Sequence, residues 1–330
     1  MKRPSQSSPT KFKSFSDLLP YLADEEKARE LFEAIRWPHG AFCPHCRASR
    51  VYRINRPGRW KCGECRKQFS ATVNTVFEGS HIPLSKWLHA IFMMCTAKKG
   101  VPAKQLQREL GISYKSAWFM CHRVRLAMDQ SPLFERLGGK GGIVEIDETY
   151  IGGKASNNKH RGYKPKPKAI VATMVDRSGP ARTYPVPHVK RRPIEWLVRR
   201  SVDPDTNIAT DGHAAYKRLE WFFKSHQSVD HDKEFVRGIV HTNFAESYHS
   251  LLKRGVFGIF HHVSDKHLPR YLREFEFRWN RRELADFDML TQAIQGAGGK
   301  RLTYQRPISR RGRSRKDGSP ARSTTGNPLT

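Results

Sequence analysis

The sequence has no long apolar stretch. In its 330 residues the longest uninterrupted apolar run is Ala90–Cys95, whereas a helix that crosses a bilayer needs about 20 apolar residues. We therefore expect no membrane-spanning segment and, because no signal peptide is recognisable, a cytoplasmic protein. The length allows one sizeable domain together with one or two small ones.

Acidic residues are scarce relative to basic ones. The chain has 31 Asp and Glu against 60 Lys and Arg, which gives a net charge of +29. Such a charge is self-repelling unless a polyanion is the partner. Nucleic acid is the usual partner of this kind, and an anionic membrane surface is the alternative. The basic residues are spread along the chain and mixed with aromatic ones, which favours nucleic acid.

Cysteine is also scarce, but four of the six cysteines form two Cys-x-x-Cys pairs separated by fifteen residues. They are Cys43, Cys46, Cys62 and Cys65. This is the spacing of a zinc ribbon, in which four thiolates bind one structural Zn²⁺ and leave no open coordination position. A pair of disulfides would need an oxidising compartment. Short strands are expected at Val51–Ile54 and Arg59–Lys61, and Cys95 and Cys121 fit buried positions in helices.

The segment after the ribbon predicts two helices joined by a tight turn. The first runs from Pro102 to Leu110, and the second, Tyr114–Met128, follows a Gly-Ile turn and a capping serine. This is the layout of a helix-turn-helix, although an ordinary helical hairpin has the same pattern. Beside a zinc ribbon and a strong positive charge, DNA binding is favoured. The expected contacts are the first residues of the second helix, Tyr114, Lys115 and Ser116.

The second half of the chain changes from helical to strand patterns after a glycine-rich linker at 138–142. The predicted order is β-β-β-α-β-α-α, which is typical of a mixed sheet with helices packed on it and gives an α/β, multidomain class. The predicted regions are a disordered basic N-terminus (1–13), an N-terminal helix with the zinc ribbon (14–75), a helix-turn-helix region (80–137), a catalytic domain (143–290) and a disordered basic tail (297–330).

Three carboxylates stand out in this basic chain. Asp147 and Asp211 lie in or at the end of strands, and Glu246 lies near the start of a helix, seven residues before Lys253. Two strand aspartates and a helix glutamate are a common way to bind two Mg²⁺ ions through oxygen ligands. Each acid has an alternative role: a sheet-edge charge, a turn residue or a helix-dipole partner. Strand alternation places Glu148 on the face opposite Asp147, as a surface or supporting residue.

The segments around these acids resemble a known family. The matching stretches are 144–154 (VEIDETYIGGK), 210–216 (TDGHAAY) and 241–255 (HTNFAESYHSLLKRG), preceded by the cysteine pairs and the paired helices. Together they resemble bacterial insertion-sequence transposases of the DDE class, in the group with an N-terminal zinc ribbon. The resemblance covers roughly residues 17–285. The basic tail has no counterpart in the family pattern.

The resemblance implies an RNase H-like catalytic core. Asp147, Asp211 and Glu246 would bind two Mg²⁺ or Mn²⁺ ions, and Lys253 and Arg254 would hold a DNA phosphate. The protein would bind the terminal inverted repeats of its element as a homo-oligomer, cut and join DNA strands, and associate with the nucleoid. The alternatives are a non-catalytic DNA-binding regulator or domesticated transposase, and an RNase H-like nuclease without strand transfer. His213 and His241, which flank these segments, are expected to contact phosphates, to orient a carboxylate or to be ordinary hydrogen-bonded histidines, and His261, His262 and His267 to face phosphates or be structural.

Overall fold

The computed structural model describes residues 12, 14–130, 135–152, 168–229 and 240–303. The predicted N-terminal disordered segment lies outside these residues except for Phe12 and, of the basic tail, only 297–303 lie within them. The helices are α1 (Phe15–Ala23), α2 (Glu25–Arg36), α3 (Leu84–Thr96), α4 (Ala103–Leu110), α5 (Tyr114–Met128), α6 (Arg191–Ser201), α7 (Asn243–Gly255), α8 (Leu268–Trp279) and α9 (Asp286–Gln295). The strands are β1 (Val51–Arg53), β2 (Trp60–Cys62), β3 (Gln68–Phe69), β4 (Ile143–Ile151), β5 (Ala169–Asp176), β6 (Ala181–Val186), β7 (Asn207–Asp211) and β8 (Ser225–Val229).

The ribbon is a small antiparallel sheet in the order β1-β2-β3. Its strands β1 and β2 lie within one residue of the predicted ones. Trp37, at the end of α2, is buried against this sheet, with its ring 5.9 Å from that of Trp60 and 6.0 Å from that of Phe69. Because a ribbon of this size buries few apolar side chains of its own, this packing joins it to the helices before it.

Helices α4 and α5 form the predicted two-helix unit. Gly111 ends α4 in the left-handed region, at φ 59°, which a glycine adopts at low cost. The Ser113 hydroxyl then accepts the Ser116 N–H at 3.1 Å and caps α5. Leu106 on α4 and Ala117 on α5 are buried. The exposed start of α5 and its mostly buried remainder fit a helix-turn-helix, and an ordinary helical hairpin has the same layout.

The second half contains a five-stranded mixed sheet in the order β6-β5-β4-β7-β8. Strands β4, β5 and β6 pair antiparallel, whereas β7 runs parallel to both β4 and β8. Helix α6 covers one face, where Ile146 and Ile194 share a core. Helices α7 and α8 cover the other, where Val171 and Leu272 do. This is the mixed α/β architecture of an RNase H-like domain, as predicted.

The end of the described chain returns to the N-terminal helices. Phe287 and Leu290 of α9 belong to the same core as Leu31 of α2 and Ile91 of α3. We call this unit, residues 14–130 with 286–297, the N-terminal body. The predicted boundary between a helix-turn-helix region ending at 137 and a catalytic domain starting at 143 stays a prediction. Helix α8 packs on both sides of it, since Phe277 lies in the first core and Phe275 in the second.

A buried ion cluster joins α5 to α8. Glu274 is fully buried and lies between two arginines, with Arg125 Nε 2.6 Å from its Oε2 and Arg278 Nη1 against its Oε1. Arg278 also donates to the Met94 carbonyl of α3 at 3.2 Å. Burial alone raises the pKa of Glu274, but the two guanidinium groups outweigh it and hold that pKa below its usual value. The carboxylate is therefore charged, and it is paired with both arginines only while α5 packs against α8.

In the part of the chain that the structure describes, no helix has the length and apolar content to cross a membrane.

Candidate metal and DNA sites

The four paired cysteines converge at one end of the ribbon. Cys43 Sγ lies 3.6 Å from Cys65 Sγ, and Cys46 Sγ lies 3.6 Å from Cys62 Sγ. A tetrahedral zinc ion with Zn–S bonds of about 2.3 Å needs sulfurs about 3.8 Å apart, so the cluster fits structural zinc. Arg47 and Arg66, each just after the second cysteine of a pair, both adopt positive φ (64° and 58°). The two knuckles therefore have the same local geometry.

Replacing Cys62 with serine is expected to release the zinc and unfold the ribbon, because metal binding contributes folding energy to such a site. Sequence-specific DNA binding should then weaken by at least about tenfold, the cost of losing roughly one good base contact. Zinc content and binding to element-end DNA are the measurements. Cys121→Ala, at a buried cysteine outside the cluster, should keep its zinc. A zinc-free Cys62→Ser protein that still recognises the ends would refute the expectation.

Two of the three singled-out acids meet at the sheet. The parallel pairing of β4 and β7 ends with Ile146 opposite Thr210, so the next residues, Asp147 and Asp211, stand side by side on adjacent strands. Adjacent strands lie about 4.8 Å apart. Carboxylate oxygens of Asp147, Asp211 and Glu148 all lie within 4.8 Å of one another. Three carboxylate groups at this distance are an oxygen-only donor set of the kind that hard divalent cations bind.

The structure gives Glu148 a larger part than strand alternation suggested. Its side chain does lie on the α6 face, where its Oε2 accepts the hydroxyl of the buried Tyr216, yet its carboxylate also reaches the two aspartates. Burial raises the pKa of Glu148, and the charges of Asp211 and Asp147 raise it further, although the Tyr216 hydroxyl opposes this. A cation bound among the three acids would relieve that repulsion.

Glu246 lies in the first turn of α7. Within the part of the chain that the structure describes, it is not a member of the three-carboxylate group. It is exposed, and its Oε1 lies 3.2 Å from the Thr242 hydroxyl. Lys253 is exposed two turns further along α7, and Arg254 donates to the Ser250 hydroxyl at 2.7 Å. The sheet thus brings Asp147 and Asp211 together, while Glu246 and Lys253 lie on α7, outside the three-carboxylate group.

A buried glutamate fixes the start of that helix. Glu145 is fully buried on β4, and its Oε2 accepts the backbone N–H groups of Phe244 and Ala245 at 2.8 and 3.2 Å. Arg177 Nε lies 2.8 Å, and His241 Nδ1 3.0 Å, from its Oε1. A carboxylate at a helix N-terminus satisfies backbone donors and the helix dipole together. The strand that carries Asp147 is thereby bonded directly to the helix that carries Glu246.

His249, which the sequence did not single out, completes the contact between α7 and β4. It is buried, with Nδ1 3.3 Å from Asp147 Oδ2 and Nε2 2.9 Å from the Thr173 hydroxyl. It follows Glu246 by three residues, so the two side chains are neighbours on α7. His249 therefore orients the Asp147 carboxylate and places Glu246 one turn from it.

Two family models match the chain. One, described as an ISXO2-like transposase domain, matches residues 139–280, and another, a transposase zinc-ribbon domain, matches 23–68. A protein of the transposable element ISH50 of Halobacterium salinarum is 30% identical over 279 residues, which cover 78% of this chain and 91% of that protein. The chain belongs to the ISXO2-like transposase family. A transposase-like protein of Haemophilus influenzae is 27% identical over 116 residues, 35% of this chain and 94% of its own.

The family membership confirms the resemblance drawn from the motifs. The chain is a transposase with a zinc-ribbon domain, and transposases as a class act on DNA. The α5 residues predicted to contact DNA are placed at the surface: Tyr114 and Lys115 are exposed, and Ser116 is partly exposed. The cysteines outside the ribbon are buried, which raises the pKa of Cys121 to about 11. Their burial agrees with the structural role expected for them.

The nearby histidines take local roles in the transposase. His213 donates its backbone N–H to Asp211 Oδ1 at 3.1 Å and accepts the Ala215 N–H through Nδ1 at 3.2 Å. His267 packs against the ring of the buried His122. These contacts give His213 a share in orienting Asp211.

Replacing His249 with alanine should lower Mg²⁺-dependent cleavage by about 10–100-fold, the usual cost of losing a partner that orients a metal ligand. The Mg²⁺ concentration giving half-maximal cleavage should rise, a change that lost stability alone would not cause. The conservative variant His249→Gln should keep part of the activity. The control variant His81→Ala, at an exposed histidine of the N-terminal body, should be as active as wild type. An unchanged Mg²⁺ dependence in His249→Ala would show that the histidine does not orient Asp147.

Proposed function

We propose that this protein is a DNA transposase that binds the terminal inverted repeats of an insertion sequence and catalyses DNA strand cleavage and strand transfer with two bound metal ions. The observation that carries the proposal is the cluster of Asp147, Glu148 and Asp211 on adjacent parallel strands, next to α7, whose His249 contacts Asp147. A protein that only bound DNA would have no need for so many carboxylates on a surface that must meet phosphates.

The residues have distinct parts in this proposal. Asp147, Asp211 and Glu246 would hold the metal ions, and Glu148 adds a further carboxylate beside the two aspartates. When bound, two Mg²⁺ or Mn²⁺ ions would activate the attacking oxygen and stabilise the departing one. His249 holds Asp147 in place. Lys253 and Arg254 extend along the exposed side of α7 and would position a DNA phosphate near the acids.

DNA recognition falls to the N-terminal body. The start of α5, with Tyr114, Lys115 and Ser116, would enter a major groove, and the ribbon would contact the flanking DNA. The net charge of +29 supplies the non-specific attraction. Because an element has two ends that must be joined to one target, we propose that the protein acts as a homo-oligomer on DNA, at the nucleoid.

The test is cleavage and joining of a labelled duplex that carries the element's end, with purified full-length protein. Cleavage in Mg²⁺ or Mn²⁺ that stops on chelation and yields joined products is the expected result. Cleavage without joining would favour an RNase H-like nuclease. Specific binding with no cleavage under any metal condition would contradict the proposal and favour the DNA-binding regulator.

A further inference from the structure

Two tryptophans on the α6 side of the catalytic sheet are far more exposed than tryptophan usually is. Trp196 of α6 is 62% exposed, and Trp221, in a short 3-10 turn after β7, is 63% exposed. Each has an arginine against its ring, since the Cζ of Arg200 lies 5.4 Å from the Trp196 centroid and that of Arg218 lies 4.6 Å from that of Trp221. The pairs leave large aromatic surfaces in water, and a contiguous exposed apolar surface on a folded protein often marks a binding site.

A third pair joins the first two into one surface. Arg199 of α6 has its Cζ 4.3 Å from the ring of Phe222, which directly follows Trp221. Helix α6 and the segment 218–222 thus carry three arginine–aromatic pairs, one of which joins the two elements. We call it the tryptophan strip: Trp196, Arg199, Arg200, Arg218, Trp221 and Phe222.

The strip begins at the candidate active site. Asp211 ends β7, and the chain continues directly into the 3-10 turn Ala214–Tyr216. The Tyr216 hydroxyl bonds Glu148, and Arg218 follows two residues later. Tyr216 also shares a core with Ile194 of α6, so the strip and the Glu148 contact lie on the same face of the sheet.

The charge around the strip fits a polyanion. Lys190, Arg192, Lys217 and Lys224 are exposed beside it. Of the neighbouring acids, Glu195 is paired with Arg191 at 3.5 Å, and the exposed Glu220 before Trp221 is outnumbered by these cations and the strip's own arginines. A second copy of the same face would bring like charges together, which disfavours a self-interface. Aromatic faces with interleaved arginines are how proteins bind unpaired bases, because a base stacks only when its face is free.

We propose that the tryptophan strip binds unpaired DNA next to the catalytic carboxylates, with bases stacked on Trp196 and Trp221 and phosphates held by the arginines. The inference rests on the proposed function, since a staggered cut of the two strands would leave the unpaired overhang that the strip would hold. Duplex DNA, whose base faces are covered, would gain little from it.

The test compares full-length wild type with Trp196→Ala/Trp221→Ala, using labelled oligo(dT), a blunt duplex, and the same duplex with a single-stranded overhang. The double variant should bind oligo(dT) and the overhang duplex at least about tenfold more weakly, the cost of losing one stacked base or more. Blunt-duplex binding should stay within about twofold, because the phosphate contacts remain. The tryptophan-to-phenylalanine pair should keep most of the affinity, since its rings can still stack.

Leu19→Ala, which alters an apolar side chain of α1 that is 47% exposed, is the matched control and should bind all three DNAs like wild type. Oligomeric state is measured alongside. If the double variant binds oligo(dT) as tightly as wild type, the inference is wrong. If it also dissociates into smaller oligomers, the two tryptophans belong to a subunit interface instead. Failure of wild type to cleave element-end DNA, with oligo(dT) binding still dependent on both tryptophans, would refute the proposed function and support the strip.

Discussion

Replacing Asp147 or Asp211 with asparagine is expected to lower metal-dependent cleavage of element-end DNA by about a thousandfold or more. The loss of a ligand removes several kcal/mol of transition-state stabilisation, and each 1.4 kcal/mol is worth about tenfold in rate. Asparagine keeps the size of the side chain but lacks the negative charge that a hard cation requires. DNA binding should stay within about twofold of wild type. The measurement is single-turnover cleavage of a labelled duplex with and without chelator.

Asp205→Asn, at an exposed aspartate of the same domain, is the matched control and should cleave normally. The double variant of Asp147 and Asp211 should be scarcely worse than either single variant, because residues that act as a unit are not additive. Full cleavage by either aspartate variant, or cleavage in chelator, would exclude the two-metal assignment.

The same assay separates the two candidates for the third ligand. We expect Glu246→Gln to match the aspartate variants and Glu148→Gln to lose only about 10–100-fold, as for a supporting residue. Glu148 is part-buried and bonded to the buried Tyr216, whereas Glu246 is exposed on α7, two turns before Lys253. The opposite ranking would make Glu148 the ligand, in line with its place in the three-carboxylate group.

Replacing Glu274 with glutamine is expected to destabilise the protein by about 3–5 kcal/mol, the usual cost of breaking a buried ion cluster from one side. The change leaves Arg125 and Arg278 charged and buried without a counter-ion. Because the pKa of Glu274 in the folded protein lies below its ordinary value of 4.5, its stabilisation is complete above that value. It is lost as the pH falls through the folded-state pKa.

Urea unfolding at neutral pH and at stepwise lower pH measures both effects. Glu283→Gln, which removes an acid 3.4 Å from Arg282 with 87% of its side chain exposed, should change the free energy of unfolding by less than about 0.5 kcal/mol. Equal stability of the two variants at neutral pH would show that the cluster contributes little to the contact between α5 and α8.

The elements that could be predicted are those whose pattern is local. Helix α5 matches its prediction at both ends because a capping serine starts it and apolar residues recur at helical spacing. Strand β4 also matches its predicted bounds, because its β-branched residues alternate. The cysteine cluster was predictable for the same reason, since the spacing of its pairs alone brings the four sulfurs together.

The elements that were missed depend on distant parts of the chain. Strand β8 is polar, and of its five residues only Val229 is buried, so its only signal is its pairing with β7. Helix α9 forms against α3, which lies nearly 200 residues earlier. Likewise, the contact of His249 with Asp147 comes from the packing of α7 on β4, and no spacing between positions 147 and 249 could have indicated it.

Helix α9 has a consequence for the order in which the protein matures. Residues 14–130 leave the ribosome long before Phe287 and Leu290 are synthesised, so the nascent N-terminal body carries an uncovered apolar surface until α9 is made. This body is therefore completed by a piece of chain that is synthesised after Asp147, Asp211 and Glu246. A product that terminates before Phe287 would leave this core open even though it contains all five strands of the mixed sheet.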